Sequence, residues 1–254
     1  MPEDHSRRYR VLARTIRGDT ESLVLVDLTP TDDPADAYEP VAVRASDYED
    51  TLAERVAELE PGYVVAATLD WTGADAGTAA AFDTLTVERR TRYRFAADVE
   101  GMFEAARETW EAARTAGEAM NSRVTRDTDG EPNGALYVFA DPSARNMFEE
   151  FQSGRRPIEP LVERVNEQHT ESTSSGGVAT AGLTARLEQT GEDAESDGTE
   201  SADETAETDN DGPPEREVFV LSPADGTFVV VYIAFEKDGL LATTMRDTYE
   251  ELAE

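Results

Sequence analysis

Between Pro40 and Trp71 the chain reads PVAVRA, then SDYEDTLAERVAELE, then PGYVVAATLDW. The outer runs are rich in β-branched and aromatic residues, which suit a half-buried strand. The middle run spaces Tyr48, Leu52, Val56 and Leu59 by four, four and three, one apolar stripe of a helix. Ser46 stands three residues before Glu49, the spacing of a capping box, and Pro61-Gly62 breaks the helix before the chain extends again. A strand, a helix and a strand in so short a stretch leave few small folds open.

More strands are expected on both sides. In Arg8–Ile16, Tyr9, Val11 and Ala13 alternate with Arg8, Arg10 and Arg14. Ser22–Leu28 is apolar on both faces, and Phe82–Phe95 reads as one long strand, bent near Arg89-Arg90 where its alternation slips. Three strands, a helix and two strands over residues 8–95 resemble the OB-fold, in which a five-stranded barrel carries its helix between the third and fourth strands. An SH3-like barrel or a small sandwich with one crossover helix reads almost the same.

Beyond residue 95 the pattern is mixed. Helices are expected over Asp98–Ala119, after Asp141-Pro142-Ser143 with Met147, Phe148 and Phe151 inward, and over Ile158–Gln168. Asn121–Arg126 and Ala135–Ala140 read as strands. Phe228–Phe235 is apolar on both faces, so it belongs in the middle of a sheet. Asp238-Gly239 predicts a hairpin turn into a further strand from Leu240. Residues 170–215 hold 13 acids, one arginine and almost no apolar residues. Such a segment does not offset the entropy of ordering and is expected to be disordered.

The expected fold class is therefore α+β: an N-terminal five-stranded OB-like β-barrel with one helix over residues 8–95, followed by an α+β domain with an antiparallel sheet. That second domain takes residues 96–169 and 216–250, and 170–215 is a disordered acidic insertion within it.

The whole chain carries 55 acids against 23 bases, a formal charge of −32, and Lys237 is the only lysine. This balance resembles that of an uncharacterised acidic protein family of halophilic archaea, whose molar salt shortens the Debye length to about 3 Å and screens self-repulsion. Acidic clusters in such a chain are weak evidence for metal or acid–base chemistry.

Several chemistries are excluded or unsupported. Without cysteine there are no disulfides, thiolate metal sites or thiol nucleophiles. His5 and His169 lie in the N-terminal tail and beside the acidic tract, and no Gly-rich phosphate loop or nucleophile elbow is present. Asp127-x-Asp129-Gly130 reads as a turn rather than a calcium loop. No cofactor and no enzymatic activity are expected. Apolar runs are too short to span a bilayer, so a soluble, cytoplasmic protein is expected.

Against the acidic background the arginines cluster. Arg8, Arg10 and Arg14 share one face of the first strand, and Arg90, Arg92 and Arg94 one face of the fifth. The first and last strands of a barrel can lie side by side, which would merge both rows into one cationic band. Guanidinium forks bind phosphate bidentately and stack on bases, so the band is expected to associate with RNA or single-stranded DNA. The competing reading is that these arginines pair with carboxylates such as Glu88 or Asp83 and cement the sheet. The alternative function is a protein–protein adaptor or scaffold, whose sheet edge or arginine band meets an acidic partner.

Overall fold

The computed structural model describes residues 6–17, 20–29, 40–72, 79–142, 146–174 and 214–249. Of the features singled out above, His5 and residues 175–213 of the acidic tract lie outside them.

The N-terminal part forms β1 (Arg7–Arg17), β2 (Thr20–Asp27), β3 (Pro40–Arg44), α1 (Asp50–Ala57), β4 (Val64–Asp70) and β5 (Ala81–Arg89). These strands make one wholly antiparallel sheet in the order β3-β2-β1-β4-β5. Alternation on β1 turns Tyr9 and Val11 inward against Leu23, Leu25, Val65 and Leu85, and Val56 of α1 and Leu59 just past its end join that core. The ladders do not close a barrel. The two edge strands meet through one parallel bridge, Val43 with Ala80, in which Arg44 N donates to Ala80 O and Ala80 N to Ala42 O. The Tyr48 hydroxyl joins the same edges, donating to Arg44 O and accepting from Phe82 N. The predicted capping box is absent: α1 starts at Asp50, and Glu49 makes no side-chain cap.

The long strand expected over Phe82–Phe95 is two strands in two sheets. β5 ends at Arg89, and β6 (Arg92–Val99) opens the second sheet after a crossover at Arg90-Thr91. Gly62 makes the crossover possible. Its φ is +97°, and a Cβ there would lie 2.5 Å from the Thr91 carbonyl oxygen. Only glycine lets the two backbones approach so closely.

The second sheet continues through α2 (Glu104–Ala116), β7 (Met120–Arg126), β8 (Pro132–Ala140), α3 (Met147–Gln152), α4 (Glu159–Ser174), β9 (Glu217–Pro223), β10 (Phe228–Ala234) and α5 (Leu240–Tyr249). Its order is β6-β9-β10-β8-β7. β10 is central and buried along its whole length, as its two apolar faces require. Val230, Tyr232 and Ala234 face one core with residues of α2 and α5, and Val229, Val231 and Ile233 face the other with α3 and α4. The sheet is mixed rather than antiparallel, because β6 runs parallel to β9. The strand expected after Asp238-Gly239 is helix α5. Ala242, Met245 and Tyr249 are buried at spacings of three and four, a helical period that outweighs the hairpin signal of the turn. The first residues of the expected disordered tract, Thr170–Ser174, continue α4. Among the described residues no helix is long and apolar enough to cross a membrane.

Candidate functional site

The open cationic band expected on the first sheet is not formed. β4 lies between β1 and β5, and Arg92 and Arg94 belong to the other sheet. Each of the six arginines meets a carboxylate. Arg8 Nε donates to Glu88 across β4 (2.7 Å), one of the pairings the sequence allowed. Arg14 donates to Glu21 (2.7 Å) and to the Val56 carbonyl (2.8 Å) at the C-terminal end of α1, where a cation meets the helix dipole favourably. Arg90 pairs with Glu58 (3.2 Å), Arg92 with Glu60, and Arg94 with Glu217. Arg10, 1% exposed, is buried against Glu159.

Arg10–Glu159 and Arg92–Glu60 bridge the two sheets, and Arg90–Glu58 ties the crossover to the end of α1. Glu217, at the start of β9, is fully buried and accepts from Arg94 and Arg246, with Arg92 Nη1 at 3.8 Å. Lys237 follows β10 and donates to the Tyr63 hydroxyl (2.7 Å) from a position 5.1 Å from the ring centroid. Arg90 also lies over that ring, at 5.9 Å. Burial alone would lower the Lys237 pKa. The Tyr63 hydrogen bond and the charges of Glu215 and Glu60 outweigh it, and the net shift is upward. At Glu60 burial pushes upward, and the hydrogen bond and charge of Arg92 bring the carboxyl below its usual value.

Deeper in the junction a second set of groups faces one side of α4. Glu159, Glu163 and Asn166 are spaced by four and three, so they share a helical face. Three arginines from distant segments meet them. Arg10 Nη1 donates to both Glu159 oxygens, at 2.6 and 2.7 Å, while its Nη2 donates to the Gly154 carbonyl. Arg89, 7% exposed, brings Nη1 to 3.6 Å from Glu163. Arg216, wholly buried, donates Nε to Asn166 (2.6 Å) and Nη1 to the Phe235 carbonyl, and its guanidinium lies 5.2 Å from the Phe235 ring centroid. Desolvation pushes the Arg216 pKa down to about 10.

Within this row only one carboxylate, Glu159, is buried. Arg10 Nε, Arg89 Nε and Nη2, Arg216 Nη2, Thr91 Oγ1 and Tyr93 OH are buried with no hydrogen-bond partner among the described residues. The Tyr93 phenol lies among Glu159, Arg89 and Arg10. Burial first, then the Glu159 charge, raises its pKa and keeps it a neutral donor. A surplus of buried positive charge inside so acidic a protein is the least expected feature of the structure, since an uncompensated buried ion costs several kcal/mol.

Of this row the sequence singled out Arg10 alone. Arg89 was visible only as part of the Arg89–Arg94 cluster, and Arg216 stands alone beside the acidic tract. The 4-3 spacing of Glu159, Glu163 and Asn166 was readable, but in a chain with 55 acids it does not stand out. Among the described residues no group of three His, Asp or Glu side chains is arranged to hold a metal ion.

No curated protein and no solved structure matches this chain. Residues 1–176 and 192–254 match the model of DUF6663, described as a family of unknown function.

Proposed function

The chain thus belongs to DUF6663, and since that membership brings no activity with it, we propose from the geometry that it is a non-enzymatic adaptor that docks another protein. The observation that carries the reading is the use made of the arginines. Those expected to meet a polyanion are engaged by Glu88, Glu159, Glu21, Glu58, Glu60 and Glu217. Arg10 and Arg92 join the two sheets through Glu159 and Glu60 and the others brace a single sheet or the crossover, while large apolar side chains are left exposed on the first sheet. Trp71, 56% exposed, follows β4, and Ile16 is exposed near the end of β1. Exposed aromatics are enriched among the anchors of protein interfaces.

The first sheet is read as an OB-like barrel. Its strand order, the helix between β3 and β4, and the parallel β3–β5 bridge support that reading. One feature favours a second function, single-stranded nucleic acid binding. Arg44 is exposed and makes no ion pair among the described residues, and it lies near Asp70, next to Trp71. A tryptophan and a guanidinium at one end of such a sheet form a stacking platform.

A benzophenone amino acid placed at position 71 of the full chain tests both. Discrete protein adducts from a native lysate, competed away by excess unlabelled chain, support the adaptor. Competable RNA or DNA adducts support the nucleic-acid reading instead. Absence of competable adducts of either kind overturns both.

A further inference from the structure

We propose that the buried cluster of Arg10, Arg89 and Tyr93, beside the first turn of α4, binds a single monovalent halide ion. The argument starts from donors and acceptors. Arg10 Nε, Arg89 Nε and Arg89 Nη2 are buried and make no hydrogen bond among the described residues. Guanidinium nitrogens donate and never accept, so their complement must be an acceptor. The Tyr93 hydroxyl, buried beside Arg10 and Arg89, can accept from Arg10 and turn its own proton toward the same acceptor.

Charge narrows the choice. Two guanidiniums are buried here against one buried carboxylate, and both oxygens of that carboxylate already accept from Arg10 Nη1. Glu163 stands 3.6 Å from Arg89 with its side chain 54% exposed, so water screens its contribution. The surplus is about one positive charge. A water molecule would answer the donors but leave that charge, and would add two protons needing acceptors of their own.

Size narrows it further. A Cβ on Gly154 would lie 2.8 Å from Arg10 Nη2 and 3.1 Å from Val26 Cγ2, so protein is packed tightly against the Arg10 side of the cluster. A monatomic ion suits such surroundings better than a tetrahedral oxyanion with several oxygens to satisfy. The neutral phenol of Tyr93, a donor across the working pH range, suits it too.

The test needs no variant to begin with. Crystals of the full chain transferred from chloride to bromide should give an anomalous peak at hydrogen-bonding distance from Arg89 and the Tyr93 hydroxyl. In solution, the melting temperature in sodium chloride should exceed that in sodium methanesulfonate at equal ionic strength. The gap should be about 3–5 °C once the halide is tenfold above its Kd. Arg89→Gln should abolish that gap whatever its own stability. Bromide found only at the protein surface, an ordered water in the cluster, or identical melting in the two salts overturns the proposal. None of these outcomes bears on the docking of a partner at Trp71, so the two readings fail separately.

Discussion

Arg10 Nη1 lies 2.6 Å and 2.7 Å from the two carboxylate oxygens of Glu159, a residue 149 positions further along the chain. Both side chains are withdrawn from solvent, so the pair fastens β1 of the first sheet to α4 of the second. Surface ion pairs contribute little, whereas breaking one member of a buried pair strands the other. Arg10→Met and Glu159→Leu are each expected to lower unfolding free energy by about 3–5 kcal/mol. The double variant Arg10→Met/Glu159→Leu should recover most of that loss. Denaturant unfolding of the four proteins closes the cycle, and simple additivity would refute the coupling.

Gly62 and Gly101 offer a comparison of strain with collision. Both have positive φ, +97° and +74°, yet a Cβ on Gly62 would strike the Thr91 carbonyl while one on Gly101 meets nothing within 4 Å. Gly101→Ala is expected to cost about 1 kcal/mol, the conformational term alone. Gly62→Ala should cost about 3 kcal/mol or more, since the crossover at Thr91 has to move. Equal effects in thermal or chemical unfolding would mean that the close approach is not a constraint.

The single lysine gives a prediction for alkaline conditions. Tyr63→Phe keeps a ring for Lys237 and Arg90 but removes the oxygen that accepts from Lys237 Nζ. A loss of about 1.5 kcal/mol at neutral pH is expected. Because folding raises the Lys237 pKa, its contribution is complete below the ordinary value of 10.5 and is lost as pH rises through the folded value. Lys237→Met should therefore show a shallower fall in stability above about pH 10.5 than the wild type, measured by urea midpoints.

Glu60 predicts the opposite limb. Its folded pKa lies below the ordinary 4.5, so the stability it contributes is present above that pH and disappears as pH falls through the folded value. Glu60→Gln should be less stable than wild type at pH 7 and should lose less on acidification below pH 4.5. Parallel acid limbs in the two proteins would count against the Arg92–Glu60 pair as a source of stability.

Much of the fold is written in short-range pattern. The alternation of Tyr9 and Val11 with Arg8 and Arg10, the stripe of Val56 and Leu59, and the doubly apolar β10 follow from burial at periods of two and 3.6. These are local properties that any sheet or helix imposes. Where two local signals competed, the weaker reading lost. Asp238-Gly239 suggested a hairpin, and the spacing of Ala242, Met245 and Tyr249 made a helix.

The tertiary structure alone decided which sheet a strand joins and which partner a charge finds. The slip in alternation at Arg89-Arg90 marks a bend, but nothing local says that the chain there leaves one sheet for another. The break depends on Gly62, far back in the chain, making room for a carbonyl. Likewise the alternation placed Arg10 on the polar face of β1, but its burial depends on Gly154 and Glu159 being brought there by a different unit of the fold. Periodicity encodes which way a side chain points relative to its own backbone. What waits on that side is set by long-range packing, and for an arginine that decides between an open binding surface and a buried ion pair.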